Sequence, residues 1–236
     1  MTELAFVLAM ETSQRAQSIA IRSRDGVVRE EIIDADDRSR EDLLPAVGRL
    51  VDRAGCMPEH LGGVILNAGP GGFTGLRMAH AAAQAMAVAL QMPVVQVSGA
   101  ACARAAAVLE AELESTDACW VALASKGEET WIARADGASP VEGRSMEAVA
   151  WEPGDCRVLI ADDHLPATWL EVVRNRGIRL LPLRVRASAV LAAGLPMLQR
   201  GMSTPPEALV PAYPREAEAV RLWRLRKAGR PDGTPA

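Results

Sequence analysis

The 236-residue chain is poor in the residues that most often announce chemistry, with four cysteines and three histidines. Cys56, Cys102, Cys119 and Cys156 are widely spaced and form no CxxC pair, which excludes a disulfide scaffold and suits a reducing compartment. His60, His80 and His164 belong to no HExxH or zinc-ribbon pattern, so no metal site is expected. Asp162, Asp163 and His164 cluster after an apolar stretch and read as a polar turn. No GxSxG occurs, and Cys102 in its alanine-rich stretch reads as a small core residue, so no catalytic residue is assigned. The opening residues MTELAFVLAMETS lack a basic n-region, so a first strand is expected there and not a signal peptide.

A long charge-free run is present, yet it does not read as a membrane span. Residues 78–103 contain no Asp, Glu, Lys or Arg and exceed the ~20 residues a span needs. Gln84, Gln91, Pro93, Gln96, Ser98 and Gly99 interrupt them, however, and the apolar content is mostly alanine. A helix, a short strand over 93–97 and a second helix from Gly99 account for the run, in a protein expected in the cytoplasm. With 49% hydrophobic residues and a net charge of −4, disorder is excluded. A chain of this mass can bury about 70% of its unfolded surface.

The first third alternates strand and helix. Residues 4–10 form an apolar run, 17–22 alternate around Ile19 and Ile21, Asp25-Gly26 supplies a hairpin turn and 27–33 return. Ser39 and Asp42 precede a helical stripe of Leu43, Leu44, Val47, Leu50, Val51 and Ala54, closed by Gly55. Pro45 requires that helix to start near Leu43 or to kink. A strand at 63–66 leads through the turn NAGPGGFTG into a helix ending near Leu90, with Ala79, Ala82, Ala83, Met86, Ala87 and Leu90 on one face. A fainter version starts near 118: strands at 118–124 and 130–135, a short helix at 146–151, a strand at 157–161, a helix at 169–176, a strand at 178–181 and a helix at 187–200. The expected divisions are 1–114, 115–204, a proline-rich return with a terminal helix over 205–228, and a tail over 229–236.

Two segments carry most of the chemical promise. At 69–77 a strand runs into a glycine-rich turn that opens a helix, an arrangement able to present backbone N–H groups to an anion. No Lys follows Gly75, so it is not a Walker loop, and tight turning with close packing is the competing reading of Gly71, Gly72 and Thr74. Arg77 stands in the first helical turn, where the helix dipole opposes it. It therefore calls for an anionic partner, or is simply exposed. Glu11, Thr12 and Ser13 end the first strand; they could hold a hydrated Mg²⁺ or cap the hairpin as a hydrogen-bonded turn. Near the end, Arg221, Arg224, Arg226 and Lys227 surround Trp223, a patch that could touch phosphates or be a solvated helix face.

These segments, in order, resemble the TsaB (YeaZ) family of threonylcarbamoyladenosine tRNA modification. Residues 8–13 resemble the family's opening strand, which usually ends Asp-Thr-Ser, and 38–45 its first helix start, with Leu43-Leu44-Pro45 intact. Residues 69–77 resemble the hallmark GPGSFTGLR with Gly72 for serine, 124–134 the second-half hairpin, and 211–215 a late proline-tyrosine segment. Glu11 replaces the usual aspartate, which weakens any Mg-nucleotide role; Arg40 stands where histidine is common, and Lys126 replaces an arginine.

The resemblance implies an α/β chain with the actin-like ATPase (ribonuclease H-like) fold, two subdomains each with a mixed sheet flanked by helices. It implies a non-catalytic scaffold without a required cofactor, paired with a TsaD-like catalytic subunit and a TsaE-like ATPase, reaching tRNA through the complex. The paired-histidine metal motif of TsaD is absent here. Alone, the chain is expected to be a homodimer or a monomer, a choice the sequence leaves open. The implied contact helices, 40–54 and 74–90, put Leu43, Leu44, Val47, Phe73, Leu76, Arg77 and Ala83 at the partner surface. Glu11, Thr12, Ser13, Gly71, Gly72 and Thr74 would then be a vestigial nucleotide site. The competing functions are an actin-fold ATPase or small-molecule phosphotransferase, an RNA-binding module through the basic end, and a peptidase, for which the sequence supplies neither triad nor zinc site.

Overall fold

The computed structural model describes residues 6–33, 43–137 and 142–214. In chain order the first half contains β1 (Phe6–Glu11), β2 (Gln17–Arg22), β3 (Val28–Ile33), α1 (Leu43–Arg53), β4 (Leu61–Asn67), α2 (Phe73–Leu90), β5 (Val94–Val97) and α3 (Gly99–Leu109). The second contains β6 (Cys119–Lys126), β7 (Glu129–Ala135), β8 (Gly143–Glu147), β9 (Val158–Ala161), α4 (Ala167–Asn175), β10 (Arg179–Pro182) and α5 (Ala187–Gln199). Ser39, Arg40 and Asp42, the basic residues Arg221, Arg224, Arg226 and Lys227, and the expected terminal helix and tail lie outside the described residues.

Both halves are built on one plan. The first sheet has the order β3-β2-β1-β4-β5, with an antiparallel β1-β2-β3 meander and parallel β1-β4-β5 pairing. The second has the order β10-β9-β6-β7-β8, again a meander joined to a parallel β6-β9-β10 set. The expectation of a mixed sheet in each half is met. Strands β1 and β4 read as near-continuous apolar runs because both faces of the first sheet are covered. Residues 78–103 resolve into the end of α2, the strand β5 and the start of α3. Among the described residues no helix is long and apolar enough to cross a membrane.

The layers follow from three apolar clusters. One joins α1 and α2 to the outer face of the first sheet, around Leu8, Met10, Leu50 and Leu66. The largest lies between the sheets, where α3 and α5 bring Ala103, Ala107, Val190 and Leu191 against Ile65, Val97, Val121 and Ile160. The third packs α4 on the second sheet through Trp151 and Trp169, whose rings lie 5.4 Å apart. Helix α5 follows the second sheet in sequence yet packs on the first. Its first turn is held there, with Ala187 N donating to Ser18 Oγ at 2.9 Å and Ser188 N to Glu30 Oε1 at 2.8 Å. After α5 the chain forms a strap along the edge of β5: Thr204 N donates to Val94 O and Ala212 N to Ala68 O, each at 2.7 Å. An edge strand is thereby covered.

Two local expectations change. Helix α1 starts at Leu43, so Pro45 falls in the first turn, where helical N–H groups have no intrahelical partner to lose. The expected helix at 146–151 is instead the end of β8 followed by a short 3-10 turn at Ala148–Ala150. Strand β8 carries the polar sequence GRSME, whose one sheet neighbour among the described residues is β7, so it lacks the apolar alternation that marks a strand.

Two glycines in helices give opposite expectations. A Cβ at Gly194 would lie 2.3 Å from Ile65 Cγ2 and 2.8 Å from Val97 Cγ2, whereas one at Gly48 would meet nothing within 4 Å. Gly194→Ala is expected to destabilise by about 1–3 kcal/mol through overpacking of α5 on the first sheet. Gly48→Ala is expected to stabilise by about 0.5–1 kcal/mol. Urea unfolding of the two variants beside wild type measures both; the same sign in both would contradict this packing.

Candidate functional site

Strand β1 ends in Glu11, β4 ends in Asn67, and the two strands run parallel side by side, so the polar side chains at their ends meet. Glu11 Oε1 accepts from Ser13 N at 2.7 Å and Ser13 Oγ at 2.6 Å. Glu11 Oε2 accepts from Asn67 Nδ2 at 2.6 Å, and Asn67 Oδ1 accepts from Gly69 N at 2.8 Å. Asn67 Nδ2 also reaches Ser13 Oγ at 3.0 Å. Glu11, Thr12, Ser13 and Asn67 are all buried, and Thr12 Oγ1 has no hydrogen-bond partner among the described residues. Burial pushes the Glu11 carboxyl above its ordinary 4.5, although hydrogen bonds from Ser13 and Asn67 pull the other way.

The glycine turn closes over this knot. Gly72 N donates to Ser13 O at 2.7 Å, and Leu76 N to Gly72 O at 3.1 Å begins the ladder of α2. A Cβ on Gly71 would stand 2.5 Å from Ser13 O, and one on Gly75 would stand 2.1 Å from Thr12 O. Both glycines are therefore required for backbone to approach backbone, the close-packing reading of the turn. Gly72 and Thr74 are exposed. So Glu11, Thr12 and Ser13 do come together with Gly71 and Gly72 of the loop, joined by Asn67, which sequence reasoning missed.

Arg77 is exposed, the second of its two expected settings, and its partners are aromatic, not anionic. Its guanidinium stacks 3.7 Å from the centre of the Phe73 ring, and Nε donates to Tyr213 Oη at 3.1 Å. Phe73 and Tyr213 are themselves 5.2 Å apart, 48% and 40% exposed. This cation–π cluster fastens the end of the strap to the first turn of α2. Deeper along the strap, His80 Nδ1 meets Leu76 O at 2.6 Å, and Gln96 Nε2 contacts His80 Nε2 at 2.8 Å and Val210 O at 2.9 Å. Leu76 O can only accept, so Nδ1 carries the proton and Nε2 accepts from Gln96. Burial lowers the His80 pKa and keeps the ring neutral. Burial likewise raises the Cys102 thiol well above 9.0, as befits a core residue. Asp162 Oδ1 accepts from His164 N at 2.9 Å, the polar turn read from the sequence.

The partner-surface residues divide by burial. Leu43, Val47, Leu76 and Ala83 are between 0% and 7% exposed and belong to the core against the first sheet, so they cannot form a surface. Leu44, at 57%, Phe73 and Arg77 are exposed. The alanine face singled out on α2 is internal as well, since Ala79, Ala82, Ala83 and Ala87 are buried. The outward stripe is Thr74, Met78, Ala81, Ala85 and Val88, at i, i+4, i+7, i+11 and i+14, with no charge along it. Its spacing is visible in the sequence, but α2 is apolar on nearly every side, so periodicity alone could not say which face turns outward.

If Glu11 is held as described, its folded pKa exceeds that of the unfolded chain, and stability falls as pH rises between those two values. Glu11→Gln lacks this titration. Urea unfolding across that window is expected to show wild type gaining stability relative to Glu11→Gln as pH is lowered toward 4.5. A pH-independent difference, or a loss in wild type, would contradict a buried, raised carboxyl.

Comparison with known proteins agrees with this geometry. A family model described as "TsaD: tRNA N6-adenosine threonylcarbamoyltransferase" matches residues 8–150, more than half of the chain. The tRNA threonylcarbamoyladenosine biosynthesis protein TsaB of Bacillus subtilis is 30% identical over 92 residues, 39% of this chain and 40% of that protein. The chain thus spans less than half the length of that curated relative. YeaZ from Pseudomonas aeruginosa superposes with a TM-score of 0.74 at 23% identity, covering 89% of this chain and 99% of that one. An uncharacterized Pseudomonas aeruginosa protein with similarity to peptidase YeaZ gives 0.72 at 24% identity, covering 89% and 100%. The twofold use of one strand order is the actin-like ATPase fold expected from the sequence. The chain belongs to the TsaD: tRNA N6-adenosine threonylcarbamoyltransferase family, alongside its TsaB and YeaZ relatives.

Proposed function

We propose that this chain is a non-catalytic partner subunit in tRNA threonylcarbamoyladenosine formation. It pairs with a TsaD-like catalytic subunit that transfers threonylcarbamoyl to the adenosine next to the anticodon, together with a TsaE-like ATPase. The observation that carries this reading is the outer face of α2, which carries no charge beyond Arg77 and where Val88 is 68% and Met78 37% exposed between small residues. Alanines there let a second helix approach to the short end of the usual 8–10 Å spacing. Leu44 on neighbouring α1 and Phe73 at the start of α2 add further exposed apolar surface. Such surface calls for a partner. In isolation the same face closes a homodimer.

The strand-end carboxylate supports the non-catalytic part of the proposal. Both Glu11 oxygens already accept short hydrogen bonds from the protein, and Gly71 lies against Ser13. In this reading the knot is a structural closure and needs no nucleotide or metal. tRNA is reached through the complex, with Arg221, Arg224, Arg226 and Lys227 as the candidate phosphate contacts.

Co-expression with the TsaD-like protein of the same organism, followed by size-exclusion chromatography with light scattering, tests the pairing. Wild type is expected to elute as a heterodimer. Ala81→Arg and Val88→Arg place an unpaired charge in the contact and are expected to weaken it about 100-fold or more. Both sites are exposed, so their unfolding midpoints should remain within about 0.5 kcal/mol of wild type. Intact pairing in both variants would remove the contact from α2. Two folded wild-type proteins that fail to associate, with or without the TsaE-like ATPase and nucleotide, would overturn the partner role.

A further inference from the structure

Helices α3 and α5 lie side by side between the sheets and leave a trench of about 660 Å³ along their outer edge. That volume falls within the ~300–1,000 Å³ of ordinary small-molecule sites. Ala101, Ala105 and Val108 form one wall and Ala193, Pro196 and Met197 the other. Pro196 is exposed and the other five are partly buried, while Cys102, Ala103, Ala106, Val190 and Leu191 behind them are sealed in the core. The alanines are too short to fill the space between the two helices, so the gap is a consequence of the sequence.

Among the described residues the charged side chains that line this trench are both arginines, Arg104 and Arg200, in a chain whose net charge is −4. The guanidinium of Arg200 has Met202 Sδ, at 4.0 Å, as its hydrogen-bond partner among the described residues. Arg104 spends Nε on Asp117 O at 3.0 Å and Nη2 on Ser115 O at 2.6 Å. Its remaining nitrogen, Nη1, lies beside Gly137, another lining residue, at 3.1 Å from where a Cβ would stand. Glu110, at the end of α3, is drawn to Arg184 at 3.8 Å.

We infer that the trench between α3 and α5 binds a small anionic amphiphile, a molecule with an apolar body and a carboxylate or phosphate head. The body lies along the alanine and methionine walls, and the head meets Arg200 and Arg104 Nη1. A charge-assisted contact of this kind is about twice as strong as a neutral one. The chain's own segment over 215–236 is rich in arginine and has the wrong sign for this site. The site is separate from the outer face of α2, so the inference stands whether or not the pairing role does.

Displacement of 1-anilinonaphthalene-8-sulfonate from the full-length chain by decanoate, decyl phosphate and decan-1-ol tests it. Both anions are expected to displace the dye saturably at one site, with decan-1-ol at least about tenfold weaker. The stronger of the two anions identifies the head. Arg200→Gln is expected to weaken the anions about tenfold while leaving the alcohol unchanged. Ala105→Trp fills the trench and should abolish displacement. If that variant fails to fold, the exposed Arg200→Gln still decides the matter. Equal binding of alcohol and anions, undiminished binding in folded Ala105→Trp, or no displacement up to about 1 mM would each overturn the site.

Discussion

The carboxylate of Glu11 sits where three parts of the chain meet, and its hydrogen bonds tie them together. Ser13 belongs to the turn after β1, Asn67 ends β4, and through Asn67 the network reaches Gly69 and the glycine turn. A buried carboxylate with unmet acceptors would be strongly destabilising, so the three donors and the carboxylate require one another. This sets the position of the glycine turn, and hence of the first turn of α2. Everything that α2 presents to solvent, and the Phe73–Arg77–Tyr213 cluster that receives the strap, is placed by that junction.

A second constraint is the sharing of the central helical layer. Helix α5 follows the second sheet in sequence but is capped by Ser18 and Glu30 of the first. With α3 it fills the space between the sheets, so each sheet is completed by residues distant in the chain. The same layer explains why small residues are so frequent there. Gly194 brings the α5 backbone against Ile65 and Val97, and the alanines of α3 and α5 leave the arginine-lined trench between them.

Much of this was legible in the sequence, for identifiable reasons. Strand β2 alternates, α1 carries a regular apolar stripe, and residues 69–75 hold glycines where backbone must touch backbone. What escaped did so because the signal was tertiary. Strand β8 is a polar strand without alternation. Asn67 is one polar residue at the end of an apolar strand, and nothing local says that it completes a network with Glu11. Tyr213 lies 136 positions from Arg77 in sequence and is recruited by the path of the strap. The outer stripe of α2 was hidden by its own composition, because alanine occupies both the buried and the exposed faces.

Under the proposed partner role the chemistry is done elsewhere, and α2 is the principal contact. The claim on which this rests is that Glu11 and the glycine turn are a structural closure and not a nucleotide cradle. Titration of the isotopically labelled chain with Mg-ATP, followed through the backbone amides of Ser13, Asn67 and Gly69 to Gly75, addresses it directly. A structural closure leaves these resonances unmoved at every concentration. Saturable shifts centred on them, lost in Glu11→Gln, would contradict it and return the site to nucleotide chemistry.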